Sequence, residues 1–285
     1  MPVTRARPFA ALLARAWTLL AAVAIAPNHA HAHAPAAVGT SGDWAVPLSW
    51  TLYAAAWGLY LSGALRTAPD PRARAAFHGG MLLTGLAVFG PIDAAAADST
   101  AMHMVQHMLL ITVVAPLLVL ARPLPQWRAG LAGPLRPAMD RAMRPMLRSL
   151  RRPMLWALLH GAALWLWHLP GPYTAALQHE GLHALEHACF LLSAWAFWWT
   201  VLRAPAPQRP LALMGLLFTL MHTGFLGAVL VFAARPLYFA ETRSLADQQL
   251  AGLLMWAPGG IVYIAAAAWV ARHWLTHAHT ERVRA

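Results

Sequence analysis

Lysine is absent, cysteine occurs once and acidic residues are scarce. The 21 basic residues are all arginine, they face 10 aspartates and glutamates, and charged residues make up only 11% of the 285-residue chain. A soluble domain carries roughly 25% charged residues, so this scarcity excludes an ordinary soluble fold. The lone Cys189 lies inside an apolar run. That excludes an intrachain disulfide and any C-x-x-C metal or redox motif. A metal, if bound, must be held by histidine, methionine or carboxylate. The net charge of +11 is no nucleic-acid footprint, because the arginines fall in short loops between apolar runs, where they set membrane orientation. No nucleophile–base pair and no phosphate-binding loop stands out, so the reading is not that of an enzyme.

What the chain has in abundance is apolar sequence, 59% of its residues. Residues 1–34 read as a secretory signal or N-terminal anchor. Arg5, Arg7 and Arg15 precede the apolar WTLLAAVAIA, and A-x-A sites end at Ala32 and Ala34. An apolar core of about ten residues is too short to span comfortably, which favours cleavage over an uncleaved anchor. Seven longer runs follow at residues 45–65, 76–92, 101–121, 154–169, 182–202, 211–233 and 250–271. Each approaches the ~20 residues that cross a bilayer. In hydrocarbon the backbone must satisfy its own hydrogen bonds, so the runs are helices. The expected architecture is all-α, a polytopic bundle of about seven transmembrane helices over residues 35–285.

Alternate loops carry the arginines. Arg66, Arg72 and Arg74 lie in 66–75, eight arginines against Asp140 lie in 122–153, Arg203 and Arg209 lie in 203–210, and the tail ends with Arg272, Arg282 and Arg284. The opposite connections hold Asp93, Asp98, Glu180, Glu241 and Asp247, with only Arg235 and Arg243. The positive-inside rule then puts the N-terminus outside and the C-terminus inside. The cytoplasmic loop 122–153 spaces Leu and Met through its arginines. It reads as an amphipathic segment on anionic lipid heads or as a solvated basic loop.

The 15 histidines are placed unevenly. His103 and His107 share one face at the outer end of run 101–121, because residues four apart on a helix are neighbours. Met104 and Met108 form a second such pair. His168 closes run 154–169 at the same level. His179, His183 and His187 step by fours into run 182–202, beside Glu180 and Glu186. Asp247 and Gln248 open the last run, with Met255 two turns deeper. Imidazole with thioether suits copper, Cu(I) especially, and Glu186, Asp247 and Gln248 can orient ligating rings from behind by hydrogen bonding. The alternative is that an H-x-x-x-H pair on a membrane helix serves interhelical hydrogen bonding. His222 is too deep for an entry site and reads as a buried polar contact, and His78 and His160 read as structural. Gly79 with Gly80, and Gly259 with Gly260, permit close helix approach.

Five stretches together resemble the CtaG-type cytochrome c oxidase assembly factors of bacteria. They are HMVQHMLL with APLLVLARPLP, WHLPGPY, LHALEHACFLLSAWAFWW, ARPLYF and ADQQLAGLLMWAPGG, in that order over residues 101–260. The resemblance implies a multi-pass protein of the bacterial plasma membrane that delivers copper, as transient cargo, to the oxidase catalytic subunit. It carries that role onto His103, His107, His168, His187, Asp247, Gln248 and Met255. A soluble periplasmic copper donor and the lipid bilayer would be its other partners. The paired cysteines common in copper chaperones are missing, which implies a weaker, exchangeable site. Three other readings stay open on the residues alone. One is a haem-binding or quinone-linked redox protein with axial histidines. Another is a copper permease using His160, Met221 and His222. The third is a scaffold that binds no metal.

Overall fold

A computed structural model describes residues 44–238 and 243–284, with side chains as far as residue 276. The signal segment 1–34, with His29, His31 and His33, lies outside the described residues, as do Glu241 and the side chains of His277 and His279. Every regular element among the described residues is helical.

Helix α1 is Ala45–Ala64, α2 Pro71–Val88 and α3 Pro91–Ala96. Then come α4 (Thr100–Leu109), a π-helical turn (Leu110–Val114) and α5 (Ala115–Ala121), one continuous rod. Helices α6 (Leu124–Gly130) and α7 (Arg136–Ser149) follow. After them come α8 (Pro153–Trp167), α9 (Pro170–Gln178), α10 (Glu180–Leu202), α11 (Arg209–Phe232) and α12 (Leu245–Arg284). Proline opens α2, α3, α8 and α9, where its missing N–H is no loss and its φ suits the first turn. Asp70 caps α2, accepting from the N–H groups of Arg72 and Ala73 at 2.9 and 3.3 Å.

Among the described residues, five stretches are long and apolar enough to cross a membrane: Pro71–Ala96, Thr100–Ala121, Glu180–Leu202, Ala206–Phe232 and Leu245–Thr276. The protein is therefore a multi-pass membrane protein, and two of the seven expected runs fall short of that standard. Run 45–65 forms the 20-residue α1, but Ser, Thr, Trp, Tyr and Gly dilute its apolar character. Run 154–169 yields only the 15 residues of α8, about 22 Å of helix against a hydrocarbon core of ~30 Å. Pro170 sets the chain turning there, since the residue before a proline avoids the helical region, and Leu169 is extended.

The π turn has a local cause. Ala115 N–H bonds back to Leu110 O, which shifts the ladder by one and leaves Ile111 O facing Pro116, a residue with no N–H. Trp198 Nε1 from α10 donates to Ile111 O at 2.8 Å instead. Such bulges recur at functional sites, and this one begins three residues after His107. Around it Ile111, Phe190, Phe197, Trp198 and Tyr263 form the main apolar core.

Close helix approach occurs at the expected Gly80, where a Cβ would meet Leu118 Cδ2 at 3.2 Å, and also at glycines outside the expected pairs. Between α11 and α12, a Cβ on Gly227 would meet Gly252 O at 2.9 Å, and one on Gly252 would meet Gly227 O at 2.6 Å. Gly79 has open space about it, whereas a Cβ on Gly259 would press on Met108 Cε. The basic segment forms the amphipathic α7, none of whose residues is buried. Met139, Met143 and Leu147 on one side of it line an open cavity of about 650 Å³ together with Arg66 and Leu124.

Candidate metal centre

Helix direction alternates through the bundle, so the starts of α4, α10 and α12 meet the end of α8 at one end. Each of these termini carries polar side chains that the hydrocarbon would reject. Ser99 caps α4, its Oγ accepting from Met102 N–H at 3.1 Å. Asp247 reaches across from α12 and adds a second cap. It accepts from Ser99 Oγ at 2.7 Å, from Thr100 N–H at 2.5 Å and from Ala101 N–H at 3.3 Å. The first turn of α4 is thereby fixed, and His103 and His107 project from it into the bundle.

They meet α10. The His103 and His107 ring centroids are 4.2 Å apart. His183 lies 5.2 Å from His103, His187 5.4 Å from His107, and His183 and His187 4.2 Å from each other. His168, at the end of α8, lies 6.1 Å from His107. Between the α4 rings stands the Glu186 carboxylate, 3.7 Å from His103 Nε2 and 3.8 Å from His107 Nε2. His103, His107 and Glu186 are wholly buried, and His168 and His187 nearly so. Glu186 thus stands among the potential donors rather than behind a ring.

The polar atoms of this cluster are poorly served by the protein itself. Both Glu186 oxygens, both His107 ring nitrogens and the Nε2 atoms of His168 and His187 have no hydrogen-bond partner. Leaving one buried polar group unsatisfied costs about 1–3 kcal/mol, more for a charge, and such groups are normally rare. Four side chains with this deficit lie in one place, an arrangement that could hold a cation. Among the described residues, two triplets have donor atoms mutually within 4.8 Å: His103 with His183 and His187, and His103 with His107 and Glu186. At an ion–nitrogen distance of about 2.0 Å no two donors can be more than about 4 Å apart, so small side-chain rotations complete either triplet.

The other expected residues sit around the cage. Met104 and Met255 are buried, and with Met108 they pack in an apolar cluster with Tyr173, Leu226 and Leu230. Gln248 is a tie: its Oε1 accepts from Leu237 N–H at 2.6 Å and its Nε2 donates to Leu230 O at 3.3 Å. His78 accepts from Trp57 Nε1 at 3.1 Å, and His160 Nδ1 pairs with Ser193 Oγ at 2.9 Å, both structural as expected. His222 was expected to make a buried polar contact, yet neither of its ring nitrogens has a hydrogen-bond partner; it packs on Phe218.

Three residues without an assigned role complete the surround. Tyr238 Oη donates to His168 O at 2.7 Å and its ring stacks on Tyr173 at 4.0 Å. Arg243 donates to Thr100 Oγ1 at 3.2 Å, Tyr173 Oη at 3.4 Å, Ala96 O at 3.3 Å and Ala97 O at 2.6 Å. Burial, with the Tyr173 hydroxyl beside it, pushes the Tyr238 hydroxyl well above the ordinary tyrosine range, so it stays a donor. The signal for these residues was present in WHLPGPY and ARPLYF, but an aromatic in an apolar stretch does not announce its hydrogen bond.

Fold and cluster together define a multi-pass helical membrane protein with a buried imidazole–carboxylate centre at one end of its bundle. The chain belongs to the family of cytochrome c oxidase caa3 assembly factors (Caa3_CtaG), whose model matches residues 51–277. No curated protein and no solved structure gives a significant match. The resemblance read in its sequence is thereby confirmed, and the protein is an oxidase assembly factor of the membrane.

Proposed function

We propose that the protein binds copper in this cluster and hands it to the catalytic subunit of the oxidase. The observation that carries the reading is the set of buried donor atoms without a hydrogen-bond partner: both ring nitrogens of His107, both oxygens of Glu186 and Nε2 of His168 and His187. Imidazole takes copper readily. Neutral rings with one ionised carboxylate balance a single positive charge, so Cu(I) leaves no net charge in the interior. A divalent ion would leave one, at a cost of several kcal/mol. His103, His107, His183, His187 and Glu186 would hold the ion, with His168 adjacent, while Met104, Met108 and Met255 shape the wall beside it.

The protein lies in the bacterial plasma membrane with the cluster toward the periplasm, and α1 and α8 complete a seven-crossing bundle. The orientation rests on the arginines of the opposite end. Copper comes from a soluble periplasmic donor and leaves by ligand exchange, with no covalent step and no catalytic group. The permease reading lacks a continuous path, because Met221 is 66% exposed on the outside of the bundle.

The test is anaerobic Cu(I) loading of the detergent-purified protein beside a His103→Ala, His107→Ala double variant, with an optical spectrum of each. Stoichiometric copper in the first, none in the second and no Soret band is the expected result. Equal copper in both would reduce the cluster to a structural element, and a Soret band would make it a haem site.

A further inference from the structure

The burial of the α10 histidines changes in one direction. His179, immediately before the helix, is exposed; His183, one turn in, is half-buried; His187, a second turn in, is buried. The rings of His183 and His187, four residues apart on the helix, are 4.2 Å apart, and they form a stripe descending from the exposed start of the helix, which His179 immediately precedes. The stripe ends at α4, where His103 lies within 5.2 Å of His183 and 6.3 Å of His187. From there His107 is 4.2 Å on, and His168 a further 6.1 Å. Each measured step between ring centroids is short enough for a cation to be held by the old and new ligand at once.

The two donor triplets divide along the same line. His103, His183 and His187 include the half-buried ring and carry no formal charge. His103, His107 and Glu186 are wholly buried and carry the carboxylate. They share His103, so both cannot be filled together. On the basis of the copper-binding reading above, we infer that the cluster is a two-position relay. The ion enters by His179 and His183 into an outer, all-imidazole position. It then exchanges, with His103 retained as the pivot, into an inner position closed by His107 and Glu186.

Charge explains the direction. In the outer position a monovalent ion keeps its full charge at the rim, where water still reaches it. In the inner position that charge is cancelled by Glu186, so the ion can lose contact with water. Return is slow for the same reason, until a partner offers ligands of its own.

Stopped-flow transfer of Cu(I) from a coloured bidentate chelator, followed by challenge with excess chelator, reads both steps. The wild type should take one copper per chain. His183→Ala should load more slowly, by about tenfold or more, the scale on which single changes around metal sites act. His179→Ala, at an exposed position, should slow loading less and guards against misfolding of the first variant. Glu186→Gln should lose copper to the chelator about tenfold faster. Wild-type loading rates in both His183→Ala and His179→Ala would overturn the relay while leaving copper binding intact. Two coppers per chain would overturn the shared pivot. A wild type that takes no copper would overturn the copper reading, and the relay with it.

Discussion

Asp247 and Glu186 are carboxylates at the same end of the bundle, and their surroundings differ in kind. Asp247 accepts three hydrogen bonds from Ser99, Thr100 and Ala101, and Arg243 closes the ring of contacts around Thr100. Glu186, one helix away, has neither oxygen hydrogen-bonded and faces two imidazoles at 3.7 and 3.8 Å. The first group is a lock: its polar atoms are matched within the chain, and its product is a fixed start for α4. The second is a socket, where stability is given up so that donors remain available. Lock and socket are coupled, because the lock sets the helix from which His103 and His107 project.

That contrast gives opposite signs on mutation. The largest loss of stability should follow Arg243→Ala, which removes a charged donor serving Thr100, Tyr173 and the carbonyls of Ala96 and Ala97. About 2–3 kcal/mol is expected, read from reversible unfolding in mixed micelles. Glu186→Gln should move the other way or not at all in the copper-free protein, because it replaces a buried carboxyl that has no hydrogen-bond partner to lose. If it destabilises as much as Arg243→Ala, the socket is a second lock.

The smallest effect belongs to the opposite end, where Arg128 Nε and Asp140 Oδ1 pair at 2.8 Å in the open. The hydrogen bond from Arg128 holds the Asp140 carboxyl below its ordinary 3.8. A depressed carboxylate contributes stability above its unfolded value and loses it as pH falls through the folded one. Any contribution is therefore fully present above about pH 4, fades as pH falls further, and is screened by solvent. Arg128→Gln should leave the melting temperature unchanged between pH 5 and 8, and a clear drop in that window would show the pair to be less exposed than it is here.

How much of this could be read from the sequence depends on which physical signal each feature leaves. Run length and hydropathy made the helices of five spans plain. They overstated α8, because the pattern does not show where Pro170 will turn the chain. The H-x-x-x-H pair of α4 and the four-step histidines of α10 were legible, since helical spacing fixes which rings share a face. That these two faces meet around Glu186 was not legible, because spacing says nothing about which helix lies opposite. The same gap hides that Met104 and Met255 pack in one apolar cluster with Tyr173 and Leu230. The Arg243 lock was invisible for another reason: a single arginine in a polar connection looks like a topology signal until its acceptors are known.

The most direct test of the central claim is copper K-edge X-ray absorption on the Cu(I)-loaded protein. The account predicts only nitrogen and oxygen in the first shell, with the outer-shell scattering of at least two imidazoles. A sulfur scatterer would contradict it by moving the ion to Met104, Met108 or Met255, and a protein that retains no copper would contradict it outright.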